Sequence, residues 1–389
     1  MKIIEVNSKA LEREFLHWPD TLYKGDTNRI KPMDEDIRKV FDPKSNKLFR
    51  QGEAIRWILK DDSGRTLGRI AAFLDRKQSK THEQPTGGVG FFECIDDQVA
   101  ANTLFDACRD WLRERGMEAM DGPVNFGDRD RWWGLLVDGF FPPNYAMPYN
   151  PPYYQKLFES YGFQNYFNQY TYHRFFFDGD LDEHMKETAD RIAQNPSYRI
   201  SHLTKGNLDK FAEEFTHVYN KAWVRHTGVT QFTLAHAKAL LKSLKPILDE
   251  RLVWFAYYED EPVGFFIMIP EMNQVFRYLN GKMNSWGKLK FLLYFKVMKK
   301  CTTAIGMIFG IALEHQRKGL EGALVYAFRK VAIARNFPYR ELELNWIGDF
   351  NPTMMRIAEM VGCKIRKTHI TYRYLFDRSK PFSRAKKVS

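Results

Sequence analysis

Cysteine is scarce in this sequence, and its spacing excludes the usual cysteine-based sites. The four cysteines, Cys94, Cys108, Cys301 and Cys363, lie far apart and form no C-x-x-C pair. Structural zinc sites and disulfide frameworks both need closely spaced or numerous cysteines, so we expect neither and interpret all four as reduced core thiols. The ten histidines also lack an H-x-x-x-H or related ligand spacing. The sequence therefore predicts no metal.

Long apolar runs are missing as well. No stretch of 18 or more apolar residues occurs, and Met1 and Lys2 lead directly into the strand-like residues 3–6 instead of a secretory signal. We therefore expect a cytoplasmic protein without a transmembrane segment. The composition, with 44% hydrophobic, 15% aromatic and 28% charged residues, is typical of a globular protein. A length of 389 residues predicts two domains.

Acidic residues are outnumbered by basic ones. The chain has 48 Asp and Glu against 59 Lys and Arg, which gives a formal net charge of +11. Such a charge attracts anionic partners without identifying them, and coenzyme A, RNA and an anionic membrane are all compatible with it. Part of the excess lies in a basic tail, residues 378–387, for which we expect a solvated chain end.

The most informative stretch is a predicted strand, loop and helix at residues 302–334. Residues 304–313 are apolar, which is typical of a strand covered on both faces. From Leu320 onward the apolar residues recur on one face of a helix. Between strand and helix stands Gln316-Arg317-Lys318-Gly319. A helix that starts on glycine leaves its first backbone N–H groups and its positive dipole end free to bind phosphate.

This strand, loop and helix resembles motif A of the GNAT superfamily of acyl-CoA N-acyltransferases. The family loop follows Gln/Arg-x-x-Gly-x-Gly/Ala and holds the coenzyme A pyrophosphate on backbone amides. Gln316 and Gly319 match its first two positions. Glu321 departs from the third, with Gly322 one residue later, and a carboxylate there would repel a pyrophosphate unless it turned to solvent.

The flanking segments extend the resemblance over the second half of the chain. Residues 252–258 and 263–269 predict a β-hairpin, and residues 341–346 and 369–376 predict two further strands. A short helix between Asn351 and Gly362 is similar to the GNAT pattern Asn-x-x-Ala-x-x-Leu-Tyr-x-x-x-Gly-Phe. Ala358 stands where many family members carry the tyrosine that protonates the coenzyme A thiolate. The resemblance thus leaves the general acid unassigned.

The resemblance also implies roles for individual residues. Strand backbone near Ile311 and Leu313 would align the pantetheine, and Asn351 would contact it. Glu343, on the strand beside the thioester, is the candidate base acting through water, and the alternative is an exposed strand glutamate. The expected coenzyme site consists of Ile311, Leu313, Gln316, Arg317, Lys318, Gly319, Leu320 and Gly322.

The first half of the chain repeats the second in outline. Residues 55–59 and 66–74 predict the same hairpin, and residues 89–95 precede a helix as in motif A. We therefore predict an α/β protein of two tandem GNAT-like domains, each a mixed, mostly antiparallel twisted sheet flanked by helices. Residues 1–196 would form a degenerate, acceptor-binding or structural domain, and residues 197–389 the acyl-CoA-binding domain.

The two halves differ at the phosphate loop. The first half carries Asp96 and Asp97 and no glycine there, so we expect it to have lost coenzyme binding and the chain to hold one site. Residues 125–154 are rich in aromatic, proline and asparagine residues. We interpret them as an acceptor pocket wall or, alternatively, as a long packed loop. The candidate acceptor residues are Asn125, Tyr149, Asn150 and Tyr153.

A lysine-rich apolar segment, KLKFLLYFKVMKK, runs from Lys288 to Lys300. Thirteen residues are too few to span a bilayer as a helix. The segment is expected to pack its apolar side on the domain, and the alternatives are a lid on an acyl-chain pocket or a peripheral contact with a membrane.

The resemblance implies an N-acyltransferase that moves the acyl group of acetyl-CoA or another acyl-CoA to a small-molecule or peptide amine. One alternative is a Fem-type transferase, which resembles paired GNAT folds and takes aminoacyl-tRNA as donor. The net charge suits a nucleic acid, but the phosphate loop favours the coenzyme. The other alternative is a non-catalytic scaffold that binds coenzyme A or another anion. The sequence leaves the acceptor, the acyl length and the oligomeric state open.

Overall fold

The computed structural model describes residues 1–81, 83–179, 181–204, 206–223 and 231–387. Its strands are β1 (Lys2–Glu5), β2 (Gly52–Lys60), β3 (Thr66–Asp75), β4 (Thr86–Cys94), β5 (Ala119–Gly122), β6 (Leu135–Asp138), β7 (Gln164–Phe175), β8 (Tyr198–His202), β9 (Val253–Tyr258), β10 (Glu261–Pro270), β11 (Thr303–Ile311), β12 (Glu341–Gly348) and β13 (Lys364–Leu375). Its helices are α1 (Lys9–His17), α2 (Pro19–Leu22), α3 (Asp34–Phe41), α4 (Gln98–Arg113), α5 (Tyr154–Tyr161), α6 (Glu183–Gln194), α7 (Leu208–Trp223), α8 (Leu234–Leu244), α9 (Asn273–Phe276), α10 (Ser285–Leu292), α11 (Leu320–Ala332) and α12 (Pro352–Met360).

The strands form one continuous sheet in the described part of the chain. Their order is β1-β2-β3-β4-β5-β13-β7-β12-β11-β10-β9-β8, and β6 pairs with β13 beside this path. Each half contributes an antiparallel meander followed by one parallel pair, β4 with β5 and β11 with β12. A helix, α4 or α11, crosses over between the two parallel strands, as such a connection requires. The predicted mixed, mostly antiparallel sheet flanked by helices is confirmed.

The two halves exchange their last strands. The strand β7, from the first half, pairs with β12 of the second, and β13, the last strand of the chain, pairs with β5 of the first. A buried bidentate ion pair fastens this exchange, because Arg373 Nε and Nη2 donate to the two carboxylate oxygens of Asp121 at 2.6 and 2.8 Å. Since the sheet runs through both halves, the division at residue 196 stays a prediction.

Apolar side chains fill both faces of the sheet. In the first half, the inner face of α4, with Leu104, Phe105 and Cys108, packs on β2 to β4. In the second half, Leu320 and Leu324 of α11 enter a core shared with β9, β10 and β12. These are the elements that the apolar periodicity predicted. Every cysteine is buried and unbridged, as expected.

The lysine-rich segment from Lys288 to Lys300 consists of two helical parts. It contains the end of α10, which stops at Leu292, and a π-helical turn from Leu293 to Val297. None of the helices in the described ranges combines the length and the apolar character that crossing a membrane demands.

Candidate functional site

The parallel strands β11 and β12 separate halfway along their length. They pair from Thr303 with Glu341 as far as Gly306 with Leu344, and then diverge. Gly306 permits the close approach at this point, because a Cβ on it would lie 2.5 Å from Leu344 Cδ2. The pairing of β10 with β11 also shifts register between Ile267 and Met268, next to the same point. The result is an open wedge between β11 and β12.

The loop at residues 316–319, here called the phosphate loop, lies at the wide end of this wedge. Gln316 Nε2 donates to the carbonyl of Ile311 at 2.9 Å and so fixes the loop to the end of β11. Arg317 and Gly319 both have left-handed backbone angles, with φ of +61° and +88°. Gly319 directly precedes α11, and no side chain among the described residues caps that helix end. Unpaired N–H groups therefore point out of the helix, as an anion site requires.

Helix α6 packs directly against the phosphate loop. Arg191 Nη2 donates to the carbonyl of Lys318 at 3.3 Å. A Cβ on Gly319 would lie only 1.7 Å from Thr188 Cγ2, and one on Gly322 would lie 2.7 Å from Met185 Cγ. No motif in the sequence indicated this docking. Both glycines are needed because α6 leaves no room for a side chain.

A cavity of about 800 Å³ extends from the phosphate loop past the end of β11 to α12. Among the described residues, three arginines line it, Arg191, Arg317 and Arg356, against one carboxylate, Glu321. Glu321 is half-buried and lines the cavity. The other lining residues are Met185, Thr188, Ala222, Phe309, Gly310, Ile311, Gln316, Gly319, Gly322, Val325, Asn351, Pro352, Thr353, Met354, Ile357 and Met360. The excess of positive charge and the bare helix end fit an anionic ligand.

The cavity brings together most of the predicted coenzyme site. The predicted residues that line it are Ile311, Gln316, Arg317, Gly319 and Gly322. Asn351, which follows β12, lines its other side. The remaining three residues do not line it. Leu313 lies beside a shallow neighbouring depression, the carbonyl of Lys318 is held by Arg191, and Leu320 is buried in the core.

Asn351 caps the start of α12, beside the cavity. Its side-chain oxygen accepts from the backbone N–H of Met354 at 3.2 Å, which caps α12. Ala358, in the place of the family tyrosine, is fully buried on the inner side of the same helix. No hydroxyl group stands at that position, and the general acid remains unassigned.

The equivalent wedge in the first half is filled by the protein itself. The carboxylate of Asp97 accepts from the N–H groups of Val99 and Ala100 at 2.8 and 3.0 Å, and so occupies the start of α4. At the end of β4, Cys94 N donates to the Tyr154 hydroxyl at 2.8 Å, and Cys94 O accepts from Tyr153 at 2.7 Å. These backbone groups are the counterparts of those at Ile311, because each residue pairs with a glycine of the preceding strand. A single coenzyme site per chain stays a prediction, with which these contacts agree.

The four candidate acceptor residues lie away from the phosphate loop. Tyr153 holds the end of β4, and Tyr149 and Asn150 line a separate cavity of about 110 Å³ in the first half. Asn125 lines another cavity, of about 280 Å³, near the basic tail. None of the four lines the cavity at Gln316. Their assignment to an acceptor stays a prediction.

Glu343, the candidate base, lies in a buried polar cluster where the two halves meet. It is 4% exposed, so it is not an exposed strand glutamate. Its carboxylate accepts from Lys367 Nζ at 3.0 Å and from Asn144 Nδ2, and Arg366 Nη1 lies 3.3 Å away. Glu343 thus neutralises the charges of Lys367 and Arg366, which is the role of a structural counter-ion. Glu343 as a base therefore stays a prediction that this geometry does not favour.

Glu271, in the same cluster, was not singled out by the sequence. One of its oxygens accepts from the N–H groups of Tyr145 and Asn273 at 2.9 and 2.7 Å, and the other accepts from Asn144 at 3.0 Å. Burial raises the pKa of this carboxyl to about 7, although its hydrogen bonds to Asn273 and Asn144 oppose that shift. Such a value suits proton transfer near neutrality, but Glu271 lines no cavity described here.

Metal-binding clusters are not found in the part of the chain that the structure covers, where no three His, Cys, Asp or Glu side chains come together as ligands.

Sequence comparison gives the chain full-length relatives. No protein-family model matches it. It is 30% identical over 376 residues to a protein of Caulobacter vibrioides named bacterial ceramide synthase, across 96% of this chain and 97% of the relative. The chain belongs to the bacterial ceramide synthase family. A second family relative is protein YghO of Escherichia coli, 25% identical over 370 residues and covering 92% of each chain.

Solved structures show the fold of this ceramide synthase family member. A tandem GNAT protein from the clavulanic acid biosynthesis pathway superposes with a TM-score of 0.53 at 11% identity, over 97% of this chain and 99% of that one. A GCN5-related glucosamine N-acetyltransferase region of a fungal multi-domain β-N-acetylglucosaminidase gives 0.50 at 12% identity, over 96% of this chain and 38% of that one. The predicted tandem GNAT fold is confirmed.

Proposed function

We propose that this protein is an N-acyltransferase that moves a fatty acyl group from acyl-CoA to the amino group of a long-chain amino alcohol. The observation that carries the proposal is the 800 Å³ cavity that begins at the uncapped start of α11 and extends past the end of β11 to α12. The acceptor class rests on the Caulobacter relative, since a ceramide is the amide of a fatty acid with a long-chain amino alcohol.

The charge and shape of the cavity suit the donor. The pyrophosphate would bind the free N–H groups after Gly319, with Arg317 and Arg191 supplying positive charge. The pantetheine would follow the open edge of β11 from Ile311 toward the point where β11 and β12 meet. Apolar lining residues such as Val325, Ile357 and Met360 lie beside that path.

In the reaction, the nitrogen of a neutral amine attacks the thioester carbonyl. A carbon–nitrogen bond forms, the carbon–sulfur bond breaks, the amine loses a proton and the coenzyme thiolate takes one. Holding both substrates in one wedge supplies proximity, which accounts for a large part of such a barrier. Because Ala358 has no hydroxyl group, we expect the thiolate to take its proton from solvent.

Acyl transfer with matched substrates tests this proposal. The full chain is incubated with palmitoyl-CoA or acetyl-CoA and with sphinganine or 2-amino-1,3-propanediol, which carries a similar amino alcohol head without the long chain. Release of the coenzyme thiol and the mass of the product are measured. We expect an amide from palmitoyl-CoA and sphinganine, and at least tenfold less from either short partner.

Variants separate donor binding from the choice of acceptor. Arg317→Gln should weaken binding of coenzyme A and of its esters alike, because it removes charge at the phosphate loop. Arg335→Gln, which changes an exposed arginine outside the cavity, is the matched control and should leave binding unchanged. Coenzyme A binding without amide formation from any amine would favour the scaffold alternative. No affinity for coenzyme A in the wild-type protein would exclude the proposal.

A further inference from the structure

The segment around α10 exposes an unusual number of large apolar side chains. Trp286 is 63% exposed and Val297 71% exposed, and Leu289, Leu292, Leu293 and Met298 are each about half exposed. Residues from α10 and the following π-helical turn are thus presented together. Scattered exposed apolar residues need no explanation, but a contiguous group of this kind marks a contact surface. We call these six residues the apolar patch.

The opposite side of the same segment is firmly packed. The ring of Tyr294 stacks on Tyr278 with centroids 4.1 Å apart, and Phe291 lies 6.2 Å from Phe276 and 5.5 Å from Phe295. Phe291, Tyr294 and Phe295 are partly buried against the core of the second half. The segment therefore has two apolar faces, and only one of them is used by the fold. Because the packed face fixes the orientation of the segment, the apolar patch points toward solvent.

The chain segment that carries the apolar patch is basic. From Met272 to Leu313 the sequence contains six lysines, one arginine and no acidic residue. Lys290 Nζ lies 5.8 Å from the ring centroid of the exposed Trp286, and Lys296 Nζ lies 4.7 Å from that of the partly buried Phe295. Tryptophan and leucine beside lysine are the residues that interfacial helices use at the boundary of lipid headgroups and acyl chains.

We propose that the apolar patch and its lysines dock this protein on an anionic lipid surface. The apolar side chains would enter the headgroup boundary, and the lysines would contact lipid phosphates, each strengthening binding about fivefold near such a surface. A second copy of the chain fits less well, because a two-fold contact would bring two lysine-rich segments with no acidic partner against each other. This inference is independent of the acyl donor and acceptor proposed above.

Vesicle co-sedimentation tests the proposal without any substrate. The full chain is mixed with vesicles of phosphatidylcholine alone or of phosphatidylcholine with phosphatidylglycerol. We expect binding to the anionic vesicles that weakens as salt increases, and little binding to the neutral ones. A triple variant, Trp286→Ser with Leu289→Ser and Val297→Ser, should lose at least tenfold in affinity. A charge variant, Lys288→Gln with Lys290→Gln and Lys296→Gln, should lose a similar factor, chiefly at low salt.

Matched controls use exposed residues of the same types elsewhere. Val99→Ser, Ile333→Ser and Ile365→Ser together, or Lys9→Gln, Lys24→Gln and Lys47→Gln together, should change binding less than twofold. Thermal denaturation identifies any variant that fails to fold, and the charge variant changes only surface groups. Equal binding by patch variants and wild type, or no binding of wild type to anionic vesicles, would refute the proposal. A mass that doubles with concentration, and that the apolar variant restores to the monomer, would assign the patch to a second copy instead.

Discussion

Replacing Gly319 by alanine tests whether the phosphate loop and α6 form one binding unit. At its φ of +88°, an alanine carries a strain of about 1–2 kcal/mol. The added Cβ would also lie 1.7 Å from Thr188 Cγ2 and 3.1 Å from Thr188 Cβ, so α6 has to move. Overpacking of this kind costs about 1–3 kcal/mol. We therefore expect a total penalty of roughly 2–5 kcal/mol, divided between folding stability and ligand affinity.

The affinity part should be large because α6 also forms a wall of the cavity. Moving α6 displaces Arg191 from the carbonyl of Lys318 and changes the space above the uncapped start of α11. We expect coenzyme A to bind at least tenfold more weakly, which corresponds to about 1.4 kcal/mol. Isothermal titration calorimetry measures the affinity, and chemical denaturation measures the free energy of unfolding.

Two further variants separate strain from collision. Gly116 has a φ of +77° and no atom within 4 Å of an added Cβ, so Gly116→Ala should carry the strain alone and leave coenzyme A affinity unchanged. In the Gly319→Ala background, Thr188→Ala removes Cγ2 and should recover the part of the loss that the collision causes. If Gly319→Ala lowers the stability but binds coenzyme A as tightly as the wild type, the ligand does not use this loop and the reasoning fails.

Three other predictions follow from buried or cavity-lining charges. Among the described residues, Glu321 is the one carboxylate that lines the cavity, so Glu321→Gln should raise coenzyme A affinity about twofold to fivefold, as measured by calorimetry. A lower affinity would contradict the placement of the pyrophosphate. Between pH 4.5, the usual pKa of a glutamate, and pH 7, the approximate raised pKa of Glu271, the folded protein keeps a proton on Glu271 that the unfolded chain releases. The free energy of unfolding should therefore fall as pH rises through that interval and level off above it. Glu271→Gln should flatten that slope in denaturation curves whatever it does to the absolute stability, and a slope that persists would assign the titration to another group. Arg373→Met should cost about 3–5 kcal/mol of folding stability, because Asp121 is left charged and buried. Adding Asp121→Leu to the same chain should recover much of that loss. If the losses of the two single variants simply add, the two residues do not act as a pair.

Local patterns were sufficient to predict the elements of the site. The apolar strand before Glu314, the glycine at residue 319 and the apolar face from Leu320 appear in the structure as β11, the phosphate loop and α11. Each of these signals lies within a short window of the chain, where periodicity and helix capping operate. The contacts of α6 with the loop were not predictable in this way, because Arg191 and Lys318 are 127 residues apart.

The buried polar cluster shows the same limit for charged residues. Glu343 lies on a strand whose alternation of apolar and polar residues was compatible with an exposed side chain. It is a buried counter-ion because Asn144, 199 residues away, and Lys367 contact its carboxylate in the folded protein. Likewise, the tyrosines that close the first wedge were interpreted as pocket residues, because their composition alone suits either task. Composition indicates what a segment can bond to, and the partner is decided by the tertiary structure.

The exchanged strands have a consequence for how this protein is made. Arg373 reaches Asp121 across 252 positions of the sequence, and β13 fills the place between β5 and β7. While the ribosome is still translating the second half, the first half therefore has two open strand edges and cannot complete its own sheet. Such edges are prone to pair with other chains, and contacts of this sequence separation form slowly. Exit of β13 from the ribosome is the event that allows both halves to finish folding, and they finish together.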